Sequence, residues 1–140
     1  MSESTGLIAL AVTRDEARIW DAGLDAGTKP TTVRAPSDMQ RHHHIREAQH
    51  HHMHDTDHAD VAFFEGLADA TRDAREVILV GHGRGKANAM LRMIQYWERK
   101  RPDAAGKVIG AIDSNLDALS DAEILALVRE WWDEHREFVA

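Results

Sequence analysis

Apolar residues fall along this chain in two kinds of pattern, and each predicts a different element. Leu7–Val12 (LIALAV) and Val77–Val80 (VILV) are continuous apolar runs with no polar alternation. Such runs predict central strands covered on both faces. Val108–Ile112 (VIGAI) predicts a further strand of the parallel type, closing on Asp113 and Ser114. Ala17–Ala22 (ARIWDA) follows the polar, turn-like Thr13–Glu16. It predicts the returning strand of a hairpin, broken by Gly23 and Gly27. Thr31–Arg34 (TTVR) lies between Pro30 and Pro36, and the prolines assign that third strand to an edge.

Helical spacing fills the rest. Val61, Phe64, Leu67 and Ala68 recur on one face of a helix over Asp60–Ala74. In Lys86–Lys100, Met90, Ile94 and Trp97 form one stripe with Leu91 beside it. Pro102 ends that helix or opens a short extra turn, and Gly106 is a cap. Ser120-Asp121-Ala122-Glu123 is a capping box. It opens a last helix with Ile124, Val128, Trp131, His135 and Phe138 on one face. The order is β-β-β, an insertion, then α-β-α-β-α. Right-handed crossovers make the later strands parallel to their neighbours. The predicted fold is α/β, with a mixed five-stranded sheet built from an antiparallel meander and two α-β repeats. That is the arrangement of RNase-H-like folds.

The chain has 140 residues, which suits one domain over 1–140. No apolar run approaches the ~20 residues of a membrane helix. MSESTG lacks the basic and apolar regions of a signal peptide, so a cytoplasmic location is expected. With no cysteine, disulfides, thiolate chemistry and zinc–thiolate sites are excluded. A formal net charge of −7 argues against a protein that coats nucleic acid non-specifically. The charge is uneven, however. Val77–Lys107 holds seven basic residues against two acidic, whereas Val108 onward holds two basic against eight acidic. The basic block could face RNA or be an ordinary solvated helix face, and charge alone favours the latter.

Candidate chemistry concentrates in two stretches. The first is Glu76–Lys86 (EVILVGHGRGK), a strand followed by a glycine loop and a helix start. Gly81, Gly83 and Gly85 permit a sharp turn and close approach. A helix N-terminus, Arg84 and Lys86 favour an anion there. The expected RNA- or phosphate-contacting residues are Gly81, His82, Gly83, Arg84, Gly85, Lys86 and, on the following helix, Arg92. The pattern meets neither the dinucleotide nor the P-loop fingerprint. A loop that serves only packing and turning stays open. His82, at the carboxyl end of a central strand, sits where ligands bind open α/β sheets, or is a surface histidine with a hydrogen-bond partner.

The second stretch, residues 37–58, holds eight of the ten histidines and almost no apolar residue. It predicts an exposed, flexible insertion, helical from about Ile45 to His54. His50, His54 and His58 are spaced i, i+4, i+8 and would share a helix face, a weak candidate site for zinc, nickel or copper. His42, His43 and His44, with His82 of the glycine loop, are the candidates for catalytic acid–base work near neutral pH. A solvated loop with biased composition is the plainest reading. No resident cofactor is expected. His135, Trp97, Trp131 and Trp132 suit packing in the core or at an interface rather than base stacking. The oligomeric state, a homo-oligomer included, is open.

In LIALAVTRDEARIWDAG, DVAFFEGLADATRDAREVILVGHGRGKANAML, KVIGAIDSN and LSDAEILALVREWW, taken in order, the chain resembles the middle domain of the archaeal and eukaryotic class-one release factor and Pelota family. It looks like the stand-alone bacterial relatives often labelled translational machinery proteins. The resemblance implies an RNase-H-like fold and a ribosome or tRNA as partner. It does not carry over peptide release, because the Gly-Gly-Gln of true release factors is absent and Arg41-His42-His43-His44 stands at about that place. Two-metal nuclease chemistry needs clustered carboxylates. Leu7–Val12 has none, and Asp15 and Asp113 are isolated candidates. The expected function is binding within the translation apparatus. The alternatives are a histidine-dependent hydrolase of RNA or peptidyl-tRNA, with or without metal, and a metal-binding protein. All three expect the glycine loop and the histidine insertion to project from the same end of the sheet.

Overall fold

The structure, a computed structural model, describes residues 6–35, 58–81 and 89–139. Its strands are β1 (Leu7–Val12), β2 (Glu16–Trp20), β3 (Thr31–Arg34), β4 (Glu76–Gly81) and β5 (Val108–Asp113). Its helices are α1 (His58–Ala70), α2 (Ala89–Lys100), the short α3 (Pro102–Ala105) and α4 (Asp121–Val139), with a 3-10 turn at Leu116–Ala118 before α4. The strands form one sheet in the order β3-β2-β1-β4-β5. β2 is antiparallel to β1 and β3, while β4 is parallel to β1 and β5. This mixed α/β sheet has the strand order and polarity of the RNase-H-like arrangement.

β1 and β4 lie at the centre because they are apolar at every turn of the pleat. Leu7 pairs with Glu76 and the register runs unbroken to Val12 opposite Gly81. Alternate residues face opposite layers. Ile8, Leu10, Val12, Val77 and Leu79 pack with α1 and α2 through Phe64, Leu67, Met93 and Trp97. Leu7, Ala9, Ala11, Ile78 and Val80 pack with α4 through Ile124, Leu125 and Val128, and with Trp20. The result is an α/β/α sandwich with two cores. Burying each Leu, Phe or Val side chain contributes about 1.5–3 kcal/mol. β3 and β5 are the edges, and both are less buried than the strands between them.

Several boundaries differ from the sequence expectation. β2 runs from Glu16 to Trp20 rather than over 17–22. Thr13 closes the hairpin, its hydroxyl accepting from the Glu16 N–H at 3.1 Å and its N–H donating to the Glu16 carbonyl at 2.9 Å. That draws Glu16 into pairing opposite Arg34. α1 opens two residues before Asp60 and stops at Ala70 instead of Ala74. The stop comes from Thr71, whose buried hydroxyl donates to the Ala68 carbonyl at 2.8 Å and competes with helix continuation. On α2 the buried stripe is Met90, Met93 and Trp97 with Ala89 and Tyr96; Ile94 is only half-buried and Leu91 is 45% exposed. The stripe rotates because Trp97 Nε1 donates to the Phe64 carbonyl at 3.0 Å, fixing which face meets α1.

Other local expectations hold. Pro102 opens the short helix α3, and Gly106 caps it in a right-handed conformation with its N–H on the Pro102 carbonyl. In the capping box, the Ser120 hydroxyl accepts from the Glu123 N–H at 3.1 Å. The Glu123 carboxylate in turn accepts from the Ser120 N–H at 2.8 Å. His135 packs as expected: its ring stacks on Trp131 with centroids 4.2 Å apart, and its Nδ1 lies 2.8 Å from the Trp131 carbonyl. No described helix is long and apolar enough to cross a membrane.

Candidate functional site

The carboxyl edge of the parallel strands gathers most of the places where the described chain leaves the fold and returns. β3 runs the same way as β1, and Ala35 just beyond it donates its N–H to the Asp15 carbonyl in the β1–β2 turn at 2.8 Å. α1 runs back against the sheet before β4, so His58 begins it at the carboxyl end. Gly81 ends β4 at that edge, and Ala89 begins α2 beside it. The residues that flank the histidine-rich stretch and those that flank the glycine loop therefore stand at the same end of the sheet. Ser114, following β5, joins them by donating its N–H to the Gly81 carbonyl at 2.8 Å.

The local sequence explains this convergence. Gly81 carries no Cβ because Met90 lies directly over it; an added Cβ would overlap the Met90 side chain, starting from its own Cβ. α2 can thus descend close to the end of β4. Gly81 is extended strand paired with Asp113, so its described role is to admit α2.

Between the β1–β2 turn and the starts of α1 and α2 lies a cleft of about 160 Å³. Thr13 and Arg14 line it from the turn, Asp60, Phe63 and Phe64 from α1, and Ala89 and Arg92 from α2. Phe63 and Phe64 are buried and form an apolar back wall. Arg14 is exposed. Arg92 forms an ion pair with Asp60 while its side chain stays 41% exposed. Arg14 and Asp60 were not singled out in the sequence. Their signals were a basic residue at a hairpin tip and an acid in the first turn of a helix, both of which occur on many inert surfaces.

The remaining predicted residues divide sharply. Of the expected RNA-contacting set, Gly81 and Arg92 are at this edge. His82, Gly83, Arg84, Gly85 and Lys86 lie outside the described residues, as do His42, His43, His44, His50 and His54. His58 is the first residue of α1. Asp15 lies in the β1–β2 turn and Asp113 at the end of β5, both exposed. Among the described residues no group of three His, Asp or Glu side chains is placed to hold a metal ion.

Much of the basic block is used internally. Arg101 bridges α1 and α3, with Glu65 at 2.8 Å, Asp69 at 3.0 Å and Asp103 at 3.0 Å. Lys107 Nζ donates to the Thr71 and Arg72 carbonyls just past the end of α1, at 2.8 Å each. Glu65 also accepts from the Tyr96 hydroxyl at 2.7 Å. The hydrogen bond from Tyr96, then that from Arg101, holds the Glu65 carboxyl below the usual glutamate range. The Glu65 carboxylate correspondingly pushes the Tyr96 phenol up. Arg101 lowers Asp103, and its own affinity for a proton rises through Asp103, Glu65 and Asp69. The positive surplus of this block complements an acidic α1 face, which leaves Arg92 as its described member at the carboxyl edge.

At the opposite end a larger cavity of about 250 Å³ opens beside Gly6, Asp21, Gly23 and Asp73. It has no basic side chain in its lining, so it offers an anion nothing.

No family model matches the chain, and no curated protein does. Among solved structures, a crystal structure of Archaeoglobus fulgidus Pelota is similar over 95% of this chain at 14% identity, with a TM-score of 0.48. The chain spans 36% of that protein's length.

Proposed function

We propose that this domain is a ribosome- or tRNA-associated binding protein of the translation-factor type, acting without Gly-Gly-Gln release chemistry. One observation carries the reading: the residues flanking the glycine loop and the histidine-rich stretch stand at a single edge of the sheet, beside Arg14 and Arg92. Gly81 is buried under Met90 within the sheet, so in this reading His82, Gly83, Arg84, Gly85, Lys86 and Arg92 meet RNA phosphates, and the histidine-rich stretch reaches a neighbouring surface. Backbone N–H groups and basic side chains together hold phosphates without reading sequence. That suits a partner recognised by the shape and charge of its RNA. The ordered resemblance to release-factor and Pelota middle domains, and the mixed sheet, support the same assignment in the bacterial cytoplasm.

Co-sedimentation with ribosomal particles tests it. Replacing Arg84 and Lys86 together with Ala should weaken association and flatten its dependence on salt. Association that is unchanged in strength and salt response removes the loop from the interface and the reading with it.

A further inference from the structure

We propose that the cleft between the β1–β2 turn and the starts of α1 and α2 binds one phosphodiester of an RNA strand between Arg14 and Arg92. Asp60 holds Arg92 in the RNA-free protein. The inference deepens the functional reading above and rests on it for the choice of RNA as the ligand.

The two arginines reach the cleft from different elements, Arg14 from the β1–β2 turn and Arg92 from α2. Arg14 stands on a turn whose backbone is held by Thr13: its hydroxyl accepts from the Asp15 N–H at 3.2 Å and the Glu16 N–H at 3.1 Å. Arg14 is exposed, so its side chain is accessible to a ligand. Arg92 is carried by a helix whose inner face is anchored by the buried Met93 and Trp97. A guanidinium has five N–H donors in a planar fork. Among the described residues Arg92 pairs with one carboxylate, Asp60, and its side chain stays 41% exposed, so part of that fork faces solvent. Two such forks lining one cleft suit the paired non-bridging oxygens of a phosphodiester.

Size selects a polymer over a free metabolite. The cleft volume, about 160 Å³, is below the roughly 300–1,000 Å³ of pockets that enclose a whole small molecule. It accommodates one group of an extended chain. Asp60 then acts as a built-in competitor. Its carboxylate occupies one arm of the Arg92 fork, so RNA must share Arg92 with it or displace it.

The test is fluorescence anisotropy with a short labelled single-stranded RNA over a salt series, run on the full chain. Loss of the one neutralised phosphate lowers the single-strand salt slope by about 0.7, equivalent to about fivefold weaker binding near 0.1 M salt. Arg14→Ala/Arg92→Ala should show both changes. Asp60→Asn should bind about two- to fivefold more tightly, the reach of a surface ion pair. A destabilised protein does not bind more tightly, so this variant stays informative even if the double variant folds poorly. Arg92→Lys should keep the salt slope while losing part of the affinity. Wild-type affinity and slope in Arg14→Ala/Arg92→Ala overturn the inference, as does a glutamate-rich peptide that competes as well as RNA. Ribosome binding lost in Arg84→Ala/Lys86→Ala, with RNA binding untouched in Arg14→Ala/Arg92→Ala, removes the cleft and leaves the functional reading. RNA binding that requires Arg14 and Arg92, in a protein that ignores ribosomes, does the reverse.

Discussion

Replacing Gly81 with Ala adds one methyl group at the point where α2 meets the end of β4. Two effects oppose each other. Alanine restricts the unfolded chain more than glycine does, which favours the folded state by about 0.4–1 kcal/mol where the backbone tolerates it. The backbone here is extended, so conformation alone raises no objection. The new Cβ, however, overlaps Met90 Cβ, with the Met90 sulfur only 2.8 Å away. The sulfur can swing aside, but the Met90 Cβ moves only with the helix backbone. Forcing an extra carbon into a packed site costs about 1–3 kcal/mol. The net expectation is a loss of about 1–2 kcal/mol, visible as a lower urea midpoint at unchanged m-value. Met90→Ala should not rescue it, because the offending Cβ remains. In a Met90→Gly background the same Gly81→Ala change should cost nothing, and a double-mutant cycle reads the difference directly. A Gly81→Ala protein as stable as the wild type, or equal costs in the wild-type and Met90→Gly backgrounds, refutes the packing account of this glycine.

Other outcomes follow from the α1–α2 seam. Trp97→Phe removes the indole donor to the Phe64 carbonyl, which keeps its helix partner within α1; losing one hydrogen bond costs about 0.5–1.5 kcal/mol, measurable by urea unfolding. Glu65 is held below its ordinary value of 4.5, so its contribution is present above that pH and is lost as pH falls through the lowered folded value. Unfolding curves from about pH 6 downward should therefore show a shallower acid loss in Glu65→Gln than in wild type. The difference should stay below about 1 kcal/mol because the pair is partly exposed, and an unchanged slope contradicts the assignment.

The strands and the layer order were legible because the relevant signals are local and strong. Leu7–Val12 and Val77–Val80 are short runs of consecutive apolar residues, and their shortness, with β-branched residues in the second, favours a strand covered on both sides. Ser120 and Glu123 announced the start of α4 because the capping box is closed within four residues. What the sequence left unread depends on distant partners. Nothing near Met93 indicates that it, rather than Ile94, faces the core; the Trp97 hydrogen bond to α1 decides that. Arg101 and Lys107 looked like part of a basic surface because Glu65 and the Thr71 carbonyl, which occupy them, are each 36 residues away in sequence. The cleft was illegible for the same reason. Arg14, Asp60 and Arg92 come from three separate elements, and only the folded sheet edge brings them together.

The far pole of the molecule offers an experimental handle. There the Gly6 carbonyl accepts the N–H groups of Arg75 and Glu76 at 2.7 and 3.1 Å, locking the entry of β4 beside β1. Asp21 and Asp73 stand exposed nearby. Since the chain contains no cysteine, Asp73→Cys creates a unique thiol at that pole for a dye or spin label. A reporter there is clear of the carboxyl edge, so it can triangulate how the domain is oriented on a large assembly without obstructing the contact.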